Sequence, residues 1–375
     1  MFGSACRLIL VRLARGATTA GNALLLAACV VGSGPATTDA SMPHPARSPR
    51  GSPASEGVLE LPAGDYLVDV RTGETTPLPE SITTLTTGNG RGTPNDLGSQ
   101  RSIHVAGPGA RYRVSPDGRH LLFEGIEQEP STPLYPDTSH AVNPRTHQLY
   151  VASIDGSTVR RVTAESRGAV FGDWSPDGST IVYVAGWGFA ATDGHAKRKA
   201  DLVVIDMMTG AVEELGTLEN VVRGRPLSPV PLPRFTPDGQ AIVYTELRER
   251  RLVLRFVPAV GGERERLRRG AAWAAYSPDG DRMAFVHAVP SNHDPRWFGR
   301  QLLVAGSDLG AVTEFALGSV RNLQNPIWSP DGTHLAFSTG TTAYVADLET
   351  GVSKAIALGY ADDWLDDHTL IVEVR

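Results

Sequence analysis

"WSPDGSTIVYVAG" (174–186) places a bulky aromatic residue before a Ser-Pro-Asp-Gly turn and a short apolar strand after it. Ser-Pro and Asp-Gly are turn chemistry: Asp bonds nearby amides, and Gly accepts positive φ without steric cost. The same order returns as "VSPDGRHLLFEG" (114–125), "FTPDGQAIVYTE" (235–246), "YSPDGDRMAFVHA" (276–288) and "WSPDGTHLAFSTG" (328–340). Self-similarity at intervals of tens of residues, with strand patterning, marks a propeller or a repeat array.

Each copy is followed by a variable stretch and then by a second strand–turn pair. Examples are "DLVVIDMMTG" (201–210) and "TAYVADLETG" (342–351), each leading into a last strand. Four antiparallel strands per repeat make a propeller blade, and one blade cannot cover its own faces, so blades close into a ring. Five turns give five blades. The end of the chain, "YADDWLDDHTLIVEVR" (360–375), repeats the first half of a unit, with Trp364 in the bulky place. "GDYLVDVRTGETTPLP" (64–79) supplies the missing second half. The pattern therefore predicts an all-β, six-bladed β-propeller whose last blade is closed by strands from both termini. Seven blades is the alternative, if strands lie within 81–108, a stretch that otherwise reads as loop.

Gly 40 and Pro 27 in 375 residues suit many short strands and tight turns. Residues 1–28 have the layout of a signal peptide, with Arg7, Arg12 and Arg15 ahead of an apolar run. "LAAC" (26–29) matches a lipobox, with Cys29 as the lipidated residue. Cys6, the other cysteine, leaves with the signal, so no disulfide partner remains. Loss of 1–28 removes three Arg and no acid and moves the net charge from −6 to −9. No basic stripe points to nucleic acid. Residues 29–57 read as a lipidated Cys and a flexible Pro/Ser/Gly-rich linker, and 58–375 as the propeller.

The paired half-motifs, W-S-P-D-G-x-x-[IL]-[AV]-[FY] and V-x-D-x-x-T-G, resemble the WD-like repeat of TolB-type propellers over about 64–375. TolB proteins are bacterial envelope proteins with an α/β domain before the propeller. A linker stands there in this sequence, so the resemblance is to a TolB-like propeller lipoprotein and not to TolB itself. It implies an extracytoplasmic or periplasmic protein, held at the membrane by its lipid alone, that binds a partner.

The five turn aspartates, Asp117, Asp177, Asp238, Asp279 and Asp331, read as punctuation, since they lie a blade apart. No catalytic residues, metal site or cofactor are expected: the sequence has no G-x-S-x-G nucleophile elbow and no metal-ligand motif. Long insertions lie between second and third strands and between blades, on the face opposite the turns. That face holds Trp187, His195, Arg223, Arg225, His293, Asp294, Arg296, Trp297 and Arg321, residue types enriched at binding surfaces. The expectation is a monomeric, non-catalytic binder of an envelope protein or peptide, or of an envelope glycan, on this loop-rich face. The rival expectation is a propeller lyase or hydrolase with a polar site at the channel mouth, where Asp173, Asp362 and Asp363 stand just before blade tryptophans.

Overall fold

The computed structural model describes residues 46–47, 58–79, 82, 102–104, 112–128, 147–186, 200–218, 232–248, 251–289, 298–307, 309, 312–315 and 323–374. They form six antiparallel blades. Blade one holds Tyr112–Val114, His120–Gln128, His147–Ser153 and Val159–Arg161. Blade two holds Ala169–Trp174, Thr180–Ala185, Ala200–Asp206 and Val212–Leu218. Blade three holds Arg234–Phe235, Ala241–Arg248, Arg251–Pro258 and Glu265–Arg269. Blade four holds Ala271–Tyr276, Arg282–Val289, Phe298–Gly306 and Val312–Phe315, and blade five Leu323–Trp328, His334–Thr339, Thr342–Asp347 and Ser353–Leu358. Successive first strands touch, except that blade three meets the first strand of blade four through Ala241–Arg248 and Arg251–Pro258, so every blade contacts the next and the ring is closed.

Blade six is built from both ends of the propeller, as the half-repeats require. Tyr360–Trp364 and Thr369–Val374 continue into Gly64–Asp69 and Thr75–Pro77, with Gly64 opposite Val374 and Asp69 opposite Thr369. The pairing leaves no open edge inside the blade. One strand does lie within 81–108: Ser102–His104 pairs with Ile126, Glu127 and Gln128. It makes no extra blade. The second strand of blade one is nine residues long, and Tyr112–Val114 pairs with only three of them. Ser102–His104 satisfies the remainder. Within the stretch read as linker, Ala46–Arg47 runs parallel to the outer strand of blade four.

Apolar second and third strands fill the spaces between blades. Leu121, Ile181, Val243, Phe285, Leu335 and Leu370 stand near the start of equivalent second strands and are inaccessible to solvent. Each such side chain contributes about 1.5–3 kcal/mol relative to an exposed one. The turn aspartates act as the sequence implies. Asp177 Oδ1 accepts from the Ser175 hydroxyl at 2.6 Å and from the Ser179 amide at 3.0 Å. Asp117, Asp238 and Asp331 repeat the arrangement. These bonds hold the turn carboxyls below the usual range. Gly178 sits at φ 71°, the conformation the turn requires.

The first strands of blades two, four, five and six are bulged. Phe171, Leu232, Trp273 and Asn325, each three residues before the bulky position, have φ between 38° and 58°. Such backbone is uncommon outside glycine. In three blades a side chain of the preceding blade holds the bulge or its equivalent. Glu124 accepts the Phe171 amide at 2.7 Å, Thr245 the Trp273 amide at 2.9 Å and Ser338 the Ala361 amide at 2.9 Å. Three residue types thus make one contact.

Candidate functional site: the channel mouth

The residue just before the bulky position of each first strand belongs to one layer of the central channel. Around the ring from blade one these are Arg113, Asp173, Arg234, Ala275, Ile327 and Asp363. Four consecutive blades, six to three, thus carry alternating charge, and blades four and five carry apolar residues. The bulky residues brace the layer from behind. The indole N–H of Trp174 donates to Arg113 O at 3.2 Å, that of Trp328 to Ala275 O at 2.9 Å, and that of Trp364 to Ile327 O at 3.2 Å. Each tryptophan holds the channel residue of the blade before it.

The charged half is tightly interlocked. Arg113 is buried; it donates to the Asp362 carbonyl and to Asn325 Oδ1 at 3.2 Å, and its Nε lies 3.8 Å from Asp173. Arg234 donates to Asp173 at 3.2 Å and to Asn325 Oδ1 at 2.9 Å. Asp173 also accepts the Phe235 amide at 3.3 Å, and Asp363 accepts the Val114 amide at 2.9 Å. Asn325 bridges both guanidinium groups and donates to the Ala361 carbonyl at 3.3 Å. Burial, with help from Arg234, pushes the Arg113 guanidinium down to about 10. Burial pushes the Asp363 carboxyl up, against the pull of Arg113 and Arg234.

Beside this network a cavity of about 350 Å³ opens on the turn face. Its walls are Phe235, Tyr276, Trp328, Ala275 and Ile327, with the turn prolines at the rim and Asp173 and Arg234 at its polar edge. Farther out on the same face, Met208 and Val260 stand 94% and 82% exposed. They occupy equivalent outer-turn positions of blades two and three, where blades six, one and five carry Arg71, Asp155 and Glu349.

Of the acids flagged from sequence, Asp173 and Asp363 lie in the channel layer, and Asp362 is fully buried. Arg113, Arg234 and Asn325 escaped the sequence reading. The readable signal was the residue ahead of each bulky position, set side by side across the copies. Cys29, Trp187, His195, Arg223, Arg225, His293, Asp294, Arg296, Trp297 and Arg321 lie outside the described residues. The described cavity opens on the face that the sequence reading left as plain turns. No group of three or more metal-ligating side chains occurs among the described residues, and no described helix is long and apolar enough to cross a membrane.

No family model matches the chain. An uncharacterized protein of Agrobacterium fabrum is 27% identical over 195 residues, spanning 50% of this chain and 60% of that protein. A solved structure described as a putative TolB of Agrobacterium tumefaciens superposes with TM-score 0.51 at 14% identity, over 83% of this chain and 96% of that one. TolB of Acinetobacter baumannii gives TM-score 0.45 at 16% identity, over 66% of this chain and 57% of that one. The chain has the fold of the TolB-like six-bladed β-propellers.

Proposed function

We propose that the chain is a non-catalytic, extracytoplasmic propeller, tethered to the membrane through Cys29, that binds an extended segment of an envelope protein at the turn-face mouth of its channel. The observation that carries this reading is the division of labour at the mouth. Arg113, Asp173, Arg234 and Asn325 spend their hydrogen-bonding groups on one another and on backbone. The adjoining cavity is walled mainly by aromatic, aliphatic and proline side chains, with Asp173, Arg234 and Ser277 as its polar lining. Such a site takes an apolar side chain of a peptide rather than a sugar, whose hydroxyls need open donors and acceptors. Met208 and Val260 extend the same face outward.

The test is photo-crosslinking in intact cells from positions 208 and 275, compared with positions 296 and 297. Crosslinks from 208 and from 275, with those from 208 lost when Ala275→Trp fills the mouth, support the reading. Crosslinks confined to 296 and 297 move binding to the loop-rich face. A fatty-acid label that persists in Cys29→Ser removes the anchor. The second reading, a lyase or hydrolase, draws on Asp363, a carboxyl pushed up by burial as a catalytic acid requires. Turnover of an envelope polysaccharide that is lost in Asp363→Asn establishes it.

A further inference from the structure

Outer blade edges in this ring accept added strands. Ala46–Arg47 joins Val312–Phe315 of blade four in parallel. Leu59 does the same at blade five: its amide donates to Ile356 O at 2.9 Å, and its carbonyl accepts the Leu358 amide at 3.0 Å. Blade two is closed differently. Arg264 of blade three donates to the Thr217 and Leu215 carbonyls, in space that only Gly216 leaves free. Blade three has neither closure. Among the described residues its outer strand Glu265–Arg269 pairs only with Arg251–Pro258.

That strand reads "ERLRR" in a chain of net charge −6. Arg266 lies directly opposite Arg255, and like charges facing across a strand pair are destabilising. Arg269 lies opposite Val253, two residues from Arg255 and therefore on the same face. The carboxylate on this face is Glu246, which is buried and already holds Arg248 at 3.3 Å and Arg255 at 3.1 Å. Arg266 and Arg269 are exposed, with no ion-pair partner among the described residues. The blade thus bears a like-charge cost at an open edge.

We propose that the outer edge of blade three takes an extended acidic peptide segment of a protein partner as a fifth strand. Main-chain hydrogen bonds run along Glu265–Arg269, and carboxylates at alternate peptide positions meet Arg266 and Arg269. Strand addition supplies affinity through the backbone and specificity through every second side chain. This surface is separate from the channel mouth, so its test does not depend on the mouth.

The probe is a fluorescein-labelled ten-residue peptide of alternating Glu and Thr, titrated by anisotropy against the full chain at low salt. Wild type is expected to bind it. Arg266→Glu with Arg269→Glu is expected to weaken binding by about tenfold or more. N-methylation of alternate peptide amides is expected to weaken it similarly, and Ala275→Trp to leave it unchanged. Both arginines are exposed, and Arg266→Glu replaces the like-charge pair with Arg255 by an opposite-charge one, so the double variant should unfold at or above the wild-type urea midpoint. No wild-type binding overturns the proposal, as does equal binding by the charge-reversed pair. Equal binding of the N-methylated peptide overturns the strand-addition geometry. Loss of binding to phosphatidylglycerol vesicles in the double variant, with no peptide binding by wild type, reassigns the edge to anionic lipid.

Discussion

The two halves of the channel layer occupy the same repeat position and do opposite things. Blades six, one, two and three place Asp363, Arg113, Asp173 and Arg234 there, and each is tied to neighbouring blades by hydrogen bonds or ion pairs. Blades four and five place Ala275 and Ile327 there, and the layer opens into a cavity. The backbone scaffold is shared: the bulge and the bracing indole occur on both sides. What differs is whether the side chain at that position reaches its neighbours. The charged half is an interlock, and the apolar half leaves room for a guest.

The largest effect that tests this contrast is loss of Arg113. Arg113→Met leaves the surrounding carboxylates without their buried counter-charge and is expected to cost about 3–5 kcal/mol, seen as a lower urea midpoint. Ala275→Val, the matching change across the channel, is expected to stay within about 1.5 kcal/mol. Similar costs for the two would end the distinction between the halves.

Next comes the pH dependence of Asp363. Burial holds its folded pKa above the unfolded value of about 3.9, so the folded chain binds that proton more tightly. Its share of stability is present below the unfolded value and is lost as pH rises through the raised one. The turn aspartates have the opposite sign: their lowered values contribute above about 3.9, and that contribution is lost as pH falls through the folded values. Asp363→Asn should therefore gain on wild type as pH is raised above about 4. Urea midpoints at successive pH values check this; a constant difference means that Asp363 does not titrate with folding.

A smaller effect is expected at the braces. Trp174→Phe and Trp328→Phe each remove one indole hydrogen bond, to Arg113 O and Ala275 O, and should each cost about 1 kcal/mol. Equal costs show that the scaffold is indifferent to the channel residue it holds. The smallest effect is at the rim: Met208→Asp with Val260→Asp should shift stability by no more than about 0.5 kcal/mol for each change. The pair should nonetheless abolish crosslinking from position 275. Retained crosslinking excludes the rim from the binding surface.

Much of this was legible beforehand. "WSPDG" and its relatives located the first hairpins, and "YADDW" with "GDYLVDV" located the shared blade, because turns and strand alternation are short-range chemistry. Trp174, Trp328 and Trp364 were readable as packing residues between blades, although their indole bonds were not. Arg113 and Arg234 were overlooked because their bulky neighbours are Val114 and Phe235, so no tryptophan marked them. Asn325 was overlooked because an isolated Asn carries no motif, and it matters only when two guanidinium groups from other blades reach it. Ser102–His104 was read as loop because its neighbours are glycine- and threonine-rich, and its pairing partner lies at the far end of a long strand.

By itself, then, the sequence determined the turns, the number of blades and the exchange of strands between the termini. These depend on residues a few positions apart and on a pattern that repeats. The tertiary structure decided which channel positions neutralise one another and which leave space. Arg113 meets Asn325 and the Asp362 carbonyl across more than 200 residues of chain. Coulombic and hydrogen-bond energies depend on distances that exist only after the ring has closed.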